Sequence, residues 1–145
     1  MSLFSALSVS ASGMSAQRTR AELLTENLAN AETTRTPDGG PYRRKDVVFQ
    51  TAEASSPFLS AFTTAMGAEP AGVSVAEIVT DQGDPDQRYL PNHPDAGPDG
   101  YVAFPRINAA EEMVNLMSAS RSYQANVASM SAVKDMIVHS IDLLR

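Results

Sequence analysis

The carboxyl-terminal segment, residues 107–145, combines an apolar heptad pattern with almost no charge, and it restricts the fold more than any other feature. Between Met113 and Val133 the only charged side chain is Arg121. A surface helix normally carries a charged face, whereas this segment offers Ser, Ala, Asn and Gln. The pattern predicts a long helix that is covered on more than one side. The predicted seam consists of Met113, Leu116, Tyr123, Val127, Met130, Ile137, Ile141 and Leu144, and it is interrupted by Ser120 and Lys134.

Residues 2–30 have a similar pattern and predict a second long helix. Residues 1–17 contain no charged side chain, so this helix also needs partners that cover it. An ordinary core helix rich in Ala and Ser is the simpler interpretation of the same residues. The heptad positions are Leu3, Leu7, Met14, Ala21, Leu24 and Leu28. We expect a mainly α fold in which the two terminal helices form an antiparallel coiled-coil pair.

The helical ends are expected to form one discontinuous domain around an irregular middle. The boundaries are residues 1–32 for the first helical part, 33–106 for the middle segment and 107–145 for the last helical part. The middle segment contains the acidic excess of the chain, because residues 67–100 hold seven acidic side chains and one basic side chain. This distribution predicts buried ends and a solvated middle.

Short strands are predicted in the middle segment where β-branched and aromatic residues cluster. They include Val47-Val48-Phe49, the stretch from Val73 to Val79, and Tyr101 to Pro105. Thr80 to Gly100 is dense in Pro, Gly and Asp and is predicted to be a loop. Asn108, with Glu111 three residues later, predicts the amino-terminal cap of the last helix.

Composition excludes several classes of function. The net charge of -6 argues against nucleic acid as a partner, and the absence of Cys removes disulfides and Cys-based metal sites. No apolar run reaches the length of about twenty residues that a membrane span requires. No phosphate-binding Gly loop or catalytic constellation is evident, so we expect neither enzymatic activity nor a metal or cofactor.

A short basic run, Tyr42-Arg43-Arg44-Lys45, follows the loop after the first helix. It has two interpretations. One is a solvated loop, because three consecutive charges are common at protein surfaces. The other is a contact that seeks acidic groups, for example the acidic middle of a neighbouring copy.

Four sequence motifs occur in order along the chain. They are Asn27-Leu28-Ala29-Asn30; Tyr42-Arg43-Arg44-Lys45 with Val48-Phe49; Pro91 to Ala96 with Asp99-Gly100-Tyr101-Val102; and Glu111-Glu112-Met113 with Tyr123-Gln124-Ala125-Asn126. With these motifs the chain resembles bacterial flagellar basal-body rod proteins, most closely their proximal-rod C type. Each motif alone has low specificity, and their order on a chain of this length carries the resemblance.

The resemblance implies a structural subunit rather than an enzyme. Proteins of this family are exported without a cleaved signal peptide through the flagellar type III apparatus. They polymerise through their terminal helices into the rod that crosses the periplasm, which transmits motor torque to the hook for motility. The implied partners are other rod proteins, the motor base and export apparatus, and further copies of the chain. The alternative is a cytosolic coiled-coil adaptor or chaperone of a type III-like secretion system.

The residues expected to make assembly contacts are the two predicted seams. They are Leu7, Met14, Leu24 and Leu28 on the first helix, and Leu116, Tyr123, Val127, Met130, Ile137 and Ile141 on the last. The family motif adds Asn27, Ala29, Asn30, Tyr42, Arg43, Arg44, Tyr101, Met113 and Asn126. Asn27 and Asn30 are expected to shape the exit from the first helix, since Asn tolerates the left-handed conformation there.

Overall fold

Two long helices and two small antiparallel hairpins make up the described part of the chain. The computed structural model describes residues 3–52 and 72–142. The elements are α1 (Leu3–Ala29), β1 (Lys45–Thr51), β2 (Val73–Thr80), β3 (Asp86–Tyr89), β4 (Tyr101–Phe104) and α2 (Ala109–Asp142). The prediction of two long terminal helices around a small β-containing middle is confirmed at this level.

The two helices pack side by side and run antiparallel. Asn27, near the end of α1, touches Glu112, near the start of α2. Gly13 lies fourteen positions before Asn27 on α1, and Asn126 lies fourteen positions after Glu112 on α2. A Cβ atom on Gly13 would lie only 3.0 Å from Nδ2 of Asn126. The register is therefore constant between these two contacts, and the missing side chain of Gly13 lets Asn126 approach α1. The coiled-coil character of the pair stays a prediction.

α1 covers a row of residues along α2. Each residue of this row lies one position before a residue of the predicted seam or before one of its two interruptions. Glu112, Ala119 and Val133 are buried, and Asn126 occupies the same heptad position beside Gly13. A search of the sequence for apolar residues at heptad spacing cannot find this row, because two of its four members are polar and one is Ala. The close approach at Gly13 nevertheless brings the small and polar row, rather than the larger apolar row, against α1.

The predicted seam residues consequently divide into two groups. Leu24 is buried, and Leu7, Met14, Leu28, Leu116, Met130 and Ile137 are half-buried. The exposed group consists of Met113 (52 % exposed), Tyr123 (40 %), Val127 (46 %) and Ile141 (60 %). A coiled-coil pair whose seam faced α1 throughout would bury these four residues as well, so within a single chain the predicted seam does not face α1 along its whole length. Leu144 lies outside the described residues.

The hairpin of β1 and β2 packs against α1. Its register runs from Lys45 paired with Thr80 to Thr51 paired with Val73, and it shifts by one residue between Val48 and Phe49. The β2 strand is tied to the helix because the backbone N–H of Val73 donates a 3.1 Å hydrogen bond to Oγ of Ser12. The strands predicted at these positions are confirmed.

The second hairpin contains a strand that the sequence did not predict. β4 lies where a strand was expected, but its antiparallel partner β3 falls in the stretch predicted to be a loop. Val102 and Phe104 of β4 are buried, and the guanidinium of Arg88 lies 4.6 Å from the ring centre of Phe104. This stacking and the ladder to β4 hold a strand whose own residues, Asp86 to Tyr89, are mostly polar.

The helix ends follow the predicted capping residues, with one correction. Oδ1 of Asn108 accepts a 3.1 Å hydrogen bond from the N–H of Ala110, as expected of a cap. Nδ2 of Asn30 donates to the carbonyl of Glu26 at 2.9 Å and its Oδ1 accepts from Thr33. Among the described residues only glycines have positive φ, so Asn30 acts through its side-chain amide and not through a left-handed backbone.

Candidate functional site

A buried polar junction joins the end of α1, the start of β1 and the start of α2. Asn27 is its centre and is completely buried. Its Nδ2 donates to the carbonyl of Lys45 at 2.7 Å and to Oε2 of Glu112 at 3.3 Å. Its Oδ1 accepts from the hydroxyl of Tyr42 at 3.0 Å and from the N–H of Lys45 at 2.9 Å. One side chain thus uses its whole hydrogen-bonding capacity to connect three segments.

Glu112 is the acidic member of the junction. Its side chain is 2 % exposed, and its Oε1 accepts a 2.6 Å hydrogen bond from Nε of Arg44. The same arginine reaches Oδ2 of Asp46 at 3.3 Å. The hydrogen bond to Glu112 raises the pKa of Arg44, so the guanidinium remains charged. A buried carboxylate is tolerated only when paired, and here Arg44 and Asn27 supply both partners.

Tyr42 is the aromatic member of the junction, and its hydroxyl donates to Oδ1 of Asn27. Burial and, to a smaller extent, the nearby Glu26 carboxylate together raise the pKa of Tyr42 from 10.0 to about 12. That carboxylate is itself paired, because Nζ of Lys45 lies 2.6 Å from Oε1 of Glu26. The phenol is therefore neutral at physiological pH and available as the donor to Asn27.

The structure brings together Asn27, Tyr42 and Arg44 from the predicted motif residues and leaves the others apart. Asn30 caps α1, Asn126 lies against Gly13, and Arg43 donates to the carbonyl of Asp81. The remaining three, Ala29, Tyr101 and Met113, are exposed. Tyr101 stacks edge-on against Tyr89 with ring centres 5.4 Å apart.

Sequence reasoning missed two members of the junction, Glu112 and Lys45, as site residues. In the sequence Glu112 is an acidic residue in the first turn of a predicted helix. An acid at this position is normally explained by a favourable interaction with the helix dipole. The structure bears on the two interpretations of the basic run Tyr42-Arg43-Arg44-Lys45. Arg44 and Lys45 are paired with carboxylates of the same chain, whereas Arg43 forms no ion pair with any residue that the structure describes and is the member of the run that could contact acids of another chain.

The junction connects α1, β1 and α2 through side-chain hydrogen bonds and one ion pair. Within residues 3–52 and 72–142, no group of three or more His, Asp and Glu side chains is arranged to hold a metal ion. Neither helix, over its described length, has an apolar stretch sufficient to cross a membrane. What the junction can do chemically is fix the angle and register of two helices and a hairpin.

Comparison with known proteins places the same segments in one family. A family profile described as flagella basal body rod protein matches residues 7–35, which contain Asn27. A second profile, described as flagellar basal body rod FlgEFG protein C-terminal, matches residues 99–142, which contain Glu112. The two profiles thus include the two helical sides of the junction.

Full-length relatives carry the comparison further. The chain is 40 % identical over 148 residues to the flagellar basal-body rod protein FlgC of Bacillus subtilis, covering 99 % of each chain. The chain belongs to the FlgC family of flagellar basal-body rod proteins. FlgC of Borreliella burgdorferi is 38 % identical over 154 residues, covering 100 % of this chain and 99 % of that protein. FlgC of Escherichia coli O157:H7 is 40 % identical over 143 residues, covering 99 % and 98 %.

Proposed function

We propose that this chain is a structural subunit of the proximal rod of a bacterial flagellum. It would polymerise through its terminal helices into the shaft that transmits motor torque to the hook. Membership of the FlgC family over almost the full length of the chain carries this proposal. The chain would act by assembly and force transmission, with no substrate turned over.

The surface of the two helices supports an assembly role. Scattered exposed apolar residues are normal on a soluble protein, but extended apolar surface marks an interaction site. Large exposed apolar side chains occur along both helices, namely Leu3, Phe4, Val9, Met113, Val114, Met117, Tyr123, Val127, Met136, Val138 and Ile141. With Arg121 as the one charge between Met113 and Val133, this surface suits contact with other helices better than contact with water.

The polar junction gives the subunit a fixed shape at one end. Its hydrogen bonds connect residues 18 and 85 positions apart in sequence. A shaft that carries torque needs subunits whose helices keep one angle relative to the surrounding hairpins. We infer that the junction supplies this rigidity and that the exposed members of the predicted seams, among them Val127 and Ile141, supply contacts between subunits.

The expected partners and location follow from the same proposal. Other rod proteins, further copies of the chain, and the motor base with its export apparatus would contact this subunit. It would reach the rod through the flagellar export apparatus without cleavage of a signal peptide. Nucleic acid is not expected as a partner, and no direct membrane span is expected.

Fractionation tests the proposal directly. A tagged full-length chain should restore motility to a strain that lacks its own copy, and it should co-purify with detergent-resistant basal bodies. A cytosolic adaptor or chaperone would instead remain in the soluble fraction, and that outcome would contradict the proposal.

A substitution tests the seam within that experiment. Ile137→Asp places an unpaired charge in a half-buried seam position at a cost of several kcal/mol, and it should remove the chain from basal bodies. Asp in place of the exposed Ser118 of the same helix is the matched control and should leave incorporation unchanged. Normal incorporation of the Ile137 variant would exclude this position from the seam.

A further inference from the structure

The second hairpin and the loop that joins its strands form a self-contained unit, residues 86–104, which we call the arm. The ladder between β3 and β4 lies within it. The hydrogen bonds of the loop are also internal, and one of them runs from the N–H of Leu90 to the carbonyl of Gly100 at 2.9 Å. Within residues 3–52 and 72–142, no backbone hydrogen bond connects the arm to the rest of the chain.

The aromatic contacts of the arm are internal too. The ring of Phe104 lies edge-on to the imidazole of His93, with ring centres 6.3 Å apart, and the guanidinium of Arg88 lies 4.6 Å from its centre. Among the described helices and strands, β3 and β4 come within 8 Å of each other, Cα to Cα, and of no other element. The arm therefore takes no part in the packing that joins α1, α2 and the first hairpin.

Asp95 supplies the polar contacts between the arm and the rest of the described chain. Its Oδ2 accepts a 2.8 Å hydrogen bond from Oγ1 of Thr34, which lies in the loop after α1. Arg35 lies 3.9 Å from Oδ1, but its side chain is 80 % exposed, so this ion pair contributes little. The N–H of Asp95 donates to Nδ1 of His93 at 3.1 Å and positions the carboxylate from within the arm. The hydrogen bond from Thr34 is thus the main polar link.

The two ends of the arm join the rest of the chain at one place. The N–H of Asp81, before the arm, donates to the carbonyl of Arg44 at 2.8 Å and attaches this segment to the polar junction. Arg106, after the arm, lies 4.0 Å from Oδ2 of Asp81. Its guanidinium occupies the position that a Cβ atom on Gly83 would take, so Gly83 makes room for it. We call the surroundings of Asp81 and Arg106 the base of the arm, and such a meeting of two connecting segments is the geometry of a hinge.

A small cavity lies at this base. It has a volume of about 40 Å³ and lies between Tyr42 and Arg43 on one side and Pro85, Pro105 and Arg106 on the other. Protein interiors contain few voids larger than a water molecule. The base is therefore incompletely packed, and a small rotation of the arm meets little steric resistance there.

We propose that the arm rotates as one unit about its base, and that the hydrogen bond from Thr34 to Asp95 holds it in the observed position. The arm carries Tyr89 and Tyr101, which are 63 % and 51 % exposed. Rotation moves this aromatic pair relative to the two helices while the polar junction stays intact. The motion is a property of the free chain, so its test does not depend on a role in the rod.

Distances between paired spin labels test the rotation, because the chain contains no Cys and labels can be attached at chosen positions. Ser15→Cys with Gln87→Cys connects α1 to the arm at two exposed residues. Asp95→Ala should raise the fraction of chains with a displaced arm about tenfold, since it removes a hydrogen bond to a charged group. Thr34→Val removes the same bond from the other side and should have the same effect.

Matched variants control for effects unrelated to this hydrogen bond. Thr34→Ser keeps the hydroxyl donor and should retain the wild-type distance distribution. Asp99→Ala removes an exposed acid of the same loop and should also leave the distribution unchanged. A second label pair, Ser15→Cys with Ser118→Cys, connects the two helices at exposed residues and should not respond to any of these substitutions.

Three outcomes would overturn the proposal. The first is an unchanged distance between the labels at Ser15 and Gln87 in both Asp95→Ala and Thr34→Val. The second is an equal change in the two label pairs, because the helices would then move together with the arm. The third is a clearly lower melting temperature of the helices in Asp95→Ala, measured by circular dichroism, since an arm that moves as a separate unit should leave helix stability unchanged.

Discussion

Asn27 and Glu112 are 85 positions apart in the chain, yet the side-chain amide of Asn27 donates to the buried carboxylate of Glu112 at 3.3 Å. This contact joins the last turn of one helix to the first turn of the other. It explains why an Asn is tolerated at a fully buried position. The amide is the one group here that can donate to a carboxylate and a carbonyl while it accepts from a phenol and a backbone N–H.

Asn27→Ala should lower the free energy of unfolding by about 3–5 kcal/mol, because it removes four hydrogen bonds and leaves their partners buried. Asn27→Asp should cost at least as much, since a second carboxylate would face Glu112. Denaturant unfolding of the purified chain measures both. Ala in place of the exposed Asn92, which makes no comparable contacts, is the control and should stay within about 0.5 kcal/mol of the wild type.

Arg44→Met should destabilise the chain by about 3 kcal/mol, the lower end of the range for breaking a buried ion pair. The lower end applies because Arg44 keeps 28 % of its side-chain surface exposed, so water screens part of the interaction. Adding Glu112→Gln should restore part of the loss, since a neutral amide does not need the guanidinium. A double variant less stable than Arg44→Met alone would show that Glu112 is not the group that Arg44 stabilises.

Tyr42→Phe should cost about 1 kcal/mol at neutral pH, because the hydroxyl donor to Asn27 is lost. The pKa of Tyr42 is raised from 10.0 to about 12, chiefly by burial. The folded chain therefore holds this proton more tightly than the unfolded chain, and the resulting stability is present below pH 10 and lost as the pH rises through 12. The difference in stability between wild type and variant should shrink over that interval, and a constant or growing difference would contradict the assignment.

Gly13→Ala has two opposing effects. Ala favours the helix by up to about 1 kcal/mol, but its Cβ would lie 3.0 Å from Nδ2 of Asn126 and 3.3 Å from its Cγ. We expect little net change in the wild type and a gain of about 1 kcal/mol in an Asn126→Ala background, where the space is free. Thermal unfolding followed by circular dichroism measures both, and equal effects in the two backgrounds would mean that Gly13 and Asn126 are not coupled.

The sequence predicted the elements well where local pattern determines them. Both helices, the strands around Val48 and Val75, and the cap at Asn108 follow from periodicity, β-branched clusters and capping chemistry. The strand Asp86–Tyr89 could not be predicted in this way. Its residues are polar, its neighbours are Pro, Gly and Asp, and its conformation depends on pairing with β4.

The polar junction was only half predictable. The family resemblance indicated Asn27, Tyr42 and Arg44, but nothing in the local sequence indicated that Glu112 is buried. Its burial is possible only because Arg44 and Asn27 arrive from segments 68 and 85 positions away. The same limit applies to the helix register, since it brings Asn126 against Gly13 and neither residue contributes to an apolar pattern.

The polar junction lies at one end of the helix pair, and this position has a mechanical consequence. Leu3, at the other end of α1, lies about 36 Å from Asn27 along the helix axis. A tilt of about 10° at the junction would therefore move that tip by about 6 Å. Because the hydrogen bonds of the junction hold this angle, they also hold the position of the far tip of α1.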